Sequence, residues 1–394
     1  MIERLPHAVV AGIDLNGLGV VRALRGAGIP VVALDTDLDK PTAATRFGTK
    51  LRVSTLSGPG FIDELLAVRA RFAADPVLIL TQEASVATVS AMRERLAGAY
   101  RFTLPPHALM EVLLEKTQFQ ALAEEKGFPI PRAVRVTRVE GAAAARDLRF
   151  PCVLKPTTKH LGYGKVFAKA YKVATLEEVA NLWSRMQDIV EEIVVQEWIE
   201  GDDADVYFCL QYRPADGRPS TSFTGRKICQ WPMLVGGTAS CIPASEAAAE
   251  LTSLTDKFFT AAGFAGIGSM EYKRDRRDSR FYMIEPTVGR TDYQEEIAVL
   301  NGVNIPLAAY YGELNMAPPA ALSVRPARAW RDPLGYANAR KAGAPDPIHD
   351  LLPDIKMCDA YFRLNDPMPY FALKFQAAQN RLMRGSRSNR RATH

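Results

Sequence analysis

The chain has 394 residues, of which 47% are hydrophobic and 24% charged, the balance of a soluble globular protein. That mix excludes a disordered chain, a collagen-like chain and a small disulfide scaffold, and the length accommodates several domains of roughly 100–200 residues each. The net charge of +5 is confined to Phe375–His394, where Arg381, Arg384, Arg387, Arg390 and Arg391 occur without an acidic residue. The rest of the chain balances 44 basic with 44 acidic side chains, so nucleic-acid binding is not expected from the body.

In chain order, the first hundred residues alternate strand and helix. Ala8–Ala11 reads as a short apolar strand, Gly17–Ala27 as a helix and Pro30–Leu34 as a second strand ending at Asp35. Phe61–Phe72 and Ala84–Leu96 read as helices around Val77–Leu80, an apolar run suited to a strand buried on both faces. Repeated βα units predict a parallel sheet covered by helices. After Pro105-Pro106 the pattern becomes helical in two pieces through Lys126, stopped by Gly127, Pro129 and Pro131. Strands are expected at Val134–Val136, Cys152–Lys155 and Val166–Ala170, with an amphipathic helix at Leu176–Gln187. Beyond Ile193 the chain is strand-rich: Ile193–Trp198, Val206–Tyr212, Ser220–Gln230, Gly266–Lys273 and Phe281–Glu285, interrupted by a helix over Ser245–Ala262. Ala317–Val324 reads as a linker, and Met368–Met383 as an amphipathic helix leading into the basic tail. The expected organisation is α/β followed by α+β, with units at 1–105, 106–190, 191–316 and 317–394.

No run of 18 apolar residues occurs, and Met1–His7 lacks the regions of a signal peptide. The five cysteines are odd in number, have no Cys-x-x-Cys spacing and sit mostly in apolar strands. Reduced, buried thiols in a cytoplasmic protein are the expectation. The five histidines are scattered, so no His/Cys metal cluster is suggested.

Two regions carry possible chemistry. The first is Gly12-Ile13-Asp14-Leu15-Asn16-Gly17-Leu18-Gly19, between a strand and a helix, with Asp35 ending the next strand. A dinucleotide fold uses such a loop for pyrophosphate and such an acid for ribose, which keeps a nicotinamide-dependent oxidoreductase as an alternative. The spacing is G-x-x-x-x-G-x-G, however, and a tight turn with close helix packing also accounts for the glycines. The second region is dispersed. Lys155 ends an apolar strand, where a lysine is costly unless it meets an anion. Gly162-Tyr163-Gly164-Lys165 is a glycine-bearing turn able to bring amides to phosphate oxygens. Lys116 precedes both, and Gln196-Glu197-Trp198-Ile199-Glu200-Gly201 ends a later strand. Glu271 and Glu285 each stand in an otherwise apolar strand, and neighbouring carboxylates repel unless a cation joins them. A few oxygen ligands beside phosphates suit Mg²⁺.

This order resembles the ATP-grasp superfamily, in particular its carboxylate–amine (or thiol) ligases, over Ala8 to Leu314. The resemblance implies an N-terminal pre-ATP-grasp parallel βα domain. It is followed by an ATP-grasp fold with the nucleotide between two α+β subdomains. It further implies ATP and two Mg²⁺ ions, with Mn²⁺ as a possible substitute. Lys116, Lys155, Gly162, Gly164, Lys165 and Lys227 would hold phosphates. Glu197, with the backbone of Trp198 and Ile199, would read adenine, and Asp205 ribose, with Asp202 and Asp203 as competitors. Glu271, Glu285 and Thr287 would hold metal. Arg226 would meet the transferring phosphate and Arg290 the substrate carboxylate or the tetrahedral oxyanion. The family's Glu-x-Asn-x-Arg is here Glu285-Pro286-Thr287-Val288-Gly289-Arg290, with Thr for Asn and one extra residue. That departure keeps a catalytically silent ATP-binding relative in view.

The implied reaction activates a carboxylate as an acyl phosphate and joins it to an amine, releasing ADP and phosphate. Small-molecule substrates are expected, their identities are not legible, and oligomerisation is left open. The arginine tail is read either as a solvated end or as a contact with anionic lipid or an acidic partner.

Overall fold

The computed structural model describes residues 5–156, 167–168, 170–234, 236–319 and 326–391, with only the backbone at 349 and 381–391. Strands β1 (Ala8–Ala11), β2 (Val31–Asp35), β3 (Thr49–Arg52) and β4 (Val77–Leu80) form a parallel sheet in the order β3-β2-β1-β4. β1, β2 and β4 are buried throughout, as their apolar runs require. β3 was not anticipated. It is an edge strand of sequence Thr-Lys-Leu-Arg whose residues stay partly exposed, so it has no apolar run to read.

The second sheet is antiparallel, with β5 (Ala133–Thr137), β6 (Cys152–Pro156), β7 (Tyr171–Val173) and β8 (Glu192–Glu197) in the order β5-β8-β6-β7. Side chains alternate across it. Val136, Cys152, Leu154, Ile193 and Val195 pack against Val179, Trp183 and Met186 of the helix Leu176–Met186. Arg135, Val153, Lys155, Lys172, Val194 and Gln196 therefore share the opposite face. β8 lies in the middle of this sheet, although the sequence pattern groups it with the strands that follow.

The third sheet has seven strands: β9 (Val206–Arg213), β10 (Thr221–Trp231), β11 (Gly237–Pro243), β12 (Gly266–Arg274), β13 (Phe281–Val288), β14 (Arg328–Arg331) and β15 (Lys356–Asp359). The order is β13-β12-β9-β10-β11-β14-β15, antiparallel except for β14 with β15. Tyr207, Met270, Tyr272 and Met283 pack on one face with Phe258 and Phe259 of the helix Ser245–Ala262. Phe208, Leu210, Tyr212 and Phe223 occupy the other face, against the first domain and the helix Ile305–Glu313.

Residues 326–373 are built into the body. β14 and β15 extend the third sheet, and Trp330 is 1% exposed. Arg22 of the first domain bonds Asp366 at 2.8 Å, Glu296 at 3.4 Å and the carbonyls of Ala360 and Tyr361. Asp366, fully buried, also accepts from Thr45 Oγ1 and the Arg46 N–H. Each buried charge in this network has partners, which is what lets charge sit there at all. Among the described residues no helix is long and apolar enough to cross a membrane, and all five cysteines are free.

Candidate active site

The register of β12 with β13 sets Glu271 directly opposite Glu285, and Ser269 opposite Thr287. Two carboxylates facing each other across a pair destabilise a sheet unless cations intervene. Three lysines from three elements do so. Lys227 of β10, 4% exposed, contacts Glu271 and donates to Gln230 Oε1 at 3.3 Å. Lys116, opening the helix Lys116–Glu125, lies 3.0 Å from Glu285 Oε2. Lys155 faces them from β6 and donates to Gln196 Oε1 at 3.0 Å, while Gln196 Nε2 donates to Gln120 at 3.0 Å.

The titration behaviour follows from this crowding. Burial raises the Glu271 carboxyl, against the pull of Lys227 and with repulsion from Glu285 adding to the rise. Burial also opposes ionisation of Glu285, yet Lys116, Lys227 and Lys155 together hold it below its ordinary value. Lys155 is pushed down to about 8 by burial, helped by the Lys116 charge and opposed by Glu285. Lys227 is raised, because Glu271, Asp292 and Glu285 outweigh its burial. The Lys116–Glu285 pair is itself half-exposed and contributes little stability. Its significance is position: it carries cation and carboxylate to the mouth of the cleft.

Other expected residues lie differently. Arg226 points to the opposite face of β10, donating to the Ala204 carbonyl and lying 5.2 Å from the Tyr207 ring centre. It is thus apart from Glu271 and Lys227. Arg290 donates to the Thr291 carbonyl at 3.2 Å. Asp292 was not anticipated. Its Oδ2 accepts from Ser269 Oγ at 3.0 Å and Gln294 Nε2 at 3.1 Å, and its charge acts on both Lys227 and Glu271. It sits in the turn after β13, where no periodicity marks it. Next to it, Glu295 is 2% exposed and raised to about 8 by burial and by Asp292.

At the hinge, Glu197 Oε1 accepts the Arg149 N–H at 2.9 Å. The Trp198 N–H donates to the Pro151 carbonyl, and its own carbonyl accepts from Arg277. Its ring lies 4.7 Å from Lys172 Nζ and 4.6 Å from Lys273 Nζ. Ile199 is buried, and among the described residues its backbone N–H and carbonyl have no partner. A cavity of about 300 Å³ opens here, lined by Val153, Lys172, Trp198, Glu200 and Met233. A second, of about 200 Å³, lies on the same sheet face between Lys116, Gln120, Arg135, Lys155 and Gln196. Asp205 is outside both cavities and is held by the Asp202 N–H at 3.0 Å and Arg276 at 2.6 Å. Asp203 accepts from the N–H groups of Gln230 and Leu234 at 2.8 Å, fixing the β10–β11 turn. Glu200, 3.3 Å from Lys172, is the hinge acid that does reach the cavity. Gly162, Gly164 and Lys165 lie outside the described residues.

The N-terminal glycine loop has another use. A Cβ on Gly17 would stand 2.1 Å from the Gly12 carbonyl oxygen, and Gly12 has φ +93° with Thr81 Oγ1 2.5 Å from its Cβ position. Asp35 accepts the Ile13 N–H at 2.8 Å and pairs with Lys40 at 2.9 Å. Loop and acid are occupied by the fold's own contacts.

Glu271 and Glu285 are hard oxygen donors beside three cations, and Thr287 lies two residues further along β13, opposite Ser269. Among the described residues no three His, Cys, Asp or Glu side chains gather as ligands. Carboxylate oxygens are donors of the kind Mg²⁺ takes, with waters and phosphate oxygens completing its shell.

No family model matches the chain. It is 24% identical to a D-alanine–D-alanine ligase of Pseudomonas entomophila over 291 residues, 71% of this chain and 79% of the relative. The fold is that of biotin carboxylase from Campylobacter jejuni, solved as a β-γ-ATP complex, with TM-score 0.62, 14% identity, and 80% and 72% of the two chains covered. N5-carboxyaminoimidazole synthetase from Staphylococcus aureus gives TM-score 0.61 at 14% identity, covering 82% of each chain. With three sheets in this arrangement and the lysine–carboxylate cleft between the second and third, the chain has the fold that these ATP-grasp enzymes share.

Proposed function

We propose that the protein uses ATP to activate a small-molecule carboxylate and join it to an amine. The observation that carries this reading is the convergence of Lys116, Lys155 and Lys227 on the cross-strand pair Glu271–Glu285. Lys116 and Lys227 each pair with a carboxylate, whereas among the described residues Lys155 meets only Gln196 Oε1, so its ammonium is left for a polyphosphate with its counter-ion. In this reading the hinge cavity takes the base, stacked near Trp198 and read by the backbone of Ile199, with Glu200 better placed for ribose than Asp205. Glu271, Glu285 and Thr287 hold Mg²⁺, which supplies charge neutralisation between phosphate groups.

The chemistry then follows from leaving groups. Oxide does not leave a carboxylate, but phosphate leaves an acyl phosphate. A carboxylate oxygen takes the γ-phosphoryl group and ADP departs. The amine nitrogen attacks the acyl carbon, loses a proton, and phosphate is expelled as the amide forms. Lys155 and Lys227 offset the charge that shifts during transfer. Arg290 is assigned to the substrate carboxylate or the oxyanion. Arg226, on the other face of β10, is assigned to holding the hinge through Ala204.

The test is ADP release measured across a grid of amino acids and amines. Release that needs one carboxylate and one amine together supports the reading. ATP binding with no release for any pair would instead favour the silent relative, the reading to which Thr287 in place of Asn points.

A further inference from the structure

We propose that the C-terminal helix docks the enzyme on an anionic lipid surface. The helix Met368–Arg391 packs by one side on the 3₁₀ turn Pro41–Ala44 of the first domain. Pro369 and Leu373 are buried, and Tyr370 is half-buried. Met368, Phe371 and Phe375, spaced three and four apart, face away, at 51%, 56% and 66% exposure. Leu364, just before the helix, is 91% exposed. Three large apolar side chains on one exposed helix face, with Leu364 exposed just before it, are unusual for a surface that meets only water. The same spacing continues in the sequence to Leu382.

Charge identifies the occupant. Lys374 lies within the ridge, and Arg381, Arg384, Arg387, Arg390 and Arg391 follow along the same helix with no acidic residue from Met368 onward. The helix is 24 residues long, roughly 36 Å at 1.5 Å per residue. An apolar stripe beside a long basic stretch matches the boundary between acyl chains and anionic headgroups, where aromatic rings bury and guanidinium groups stay with phosphate. An acidic protein surface would satisfy the arginines but leave the phenylalanines wet. A second copy of this helix would satisfy the phenylalanines but place arginines against arginines. Only the lipid surface answers both.

The test is co-sedimentation of the full chain with phosphatidylcholine vesicles, with and without phosphatidylglycerol. Two variants accompany it: Phe371→Ser with Phe375→Ser, and Arg384→Gln with Arg387→Gln and Arg390→Gln. All the substituted phenylalanines are exposed, so the fold is kept, checked by an unchanged thermal transition. The wild type is expected to sediment with anionic vesicles only, and each variant to partition roughly tenfold less or weaker. No sedimentation with anionic vesicles overturns the proposal, as does binding that ignores the phenylalanine change. Concentration-dependent self-association abolished by the phenylalanine variant, without vesicle binding, would assign the ridge to a second copy.

Discussion

Two parts of this chain combine glycines, acids and lysines at strand ends, and they differ in who answers their charge. In the N-terminal loop, Asp35 is satisfied by the Ile13 N–H and by Lys40, and Lys40 also reaches Asp14 at 2.7 Å. The glycines there let backbone touch backbone. In the cleft, Lys116 and Lys227 pair with Glu285 and Glu271, whereas Lys155 has no carboxylate partner among the described residues, and a cavity adjoins it. A motif whose charges close on one another is scaffold. A cluster left with uncompensated charge beside a cavity is a place for a ligand.

Substitutions in each region separate the two roles. The largest effect is expected from Glu271→Gln. It leaves the buried Lys227 ammonium without its main partner, which costs about 3–5 kcal/mol. Denaturant unfolding measures this, and a loss under 1 kcal/mol would mean the pair is not what holds Lys227. Glu285→Gln is next: on the half-exposed partner of Lys116 it should leave stability nearly unchanged while lowering substrate-dependent ADP release ~10²–10³-fold. Retained turnover would remove Glu285 from the proposed metal site.

Gly17→Ala sharpens the contrast from the other side. Its new Cβ collides with the Gly12 carbonyl, for about 1–3 kcal/mol of stability, and ADP release per folded molecule should not change. A selective loss of turnover would give the loop a share in catalysis.

The smallest effect is the pH response of Lys155. Its value near 8, against an ordinary 10.5, means the unfolded chain binds more protons between those limits. Ligand-free stability should therefore gain from this group as pH rises through that window, and ATP affinity, which needs the charged amine, should decline above about 8. Lys155→Arg should flatten the affinity profile. An equally steep decline in that variant would trace it to another group.

How much of this was legible in the sequence depended on local patterning. β1, β2 and β4 announced themselves as apolar runs, and the helix Ser245–Ala262 by its following Gly263, although Ser245 opens the helix without capping it. β3, β11 and β14 did not, because edge strands and mixed polar strands such as Arg-Ala-Trp-Arg carry neither an apolar run nor a clean alternation. Lys155, Glu271 and Glu285 stood out, since a charge in an apolar strand is anomalous by itself, whereas Lys116, at a helix start, and Lys227 were singled out by resemblance. Asp292 was not, because only the tertiary approach of the β13 turn to Ser269 brings it in. Arg226 was misjudged for a related reason: adjacent residues on a strand face opposite ways, so Arg226 and Lys227 do not share the cleft. The choice among Asp202, Asp203, Asp205 and Glu200 turned on hinge geometry, which spacing does not encode.

The central claim is that the Lys155 ammonium, which meets no carboxylate among the described residues of the cleft, exists for a metal-bound triphosphate. Calorimetric titration of Mg·ATP into the wild type, Gly17→Ala and Lys155→Met measures it directly. The account predicts one saturable site in the first two, and affinity at least ~tenfold weaker in Lys155→Met, the loss of one charge-assisted contact. Unchanged affinity in Lys155→Met, or saturable binding of a nicotinamide dinucleotide where Mg·ATP does not bind, would contradict it.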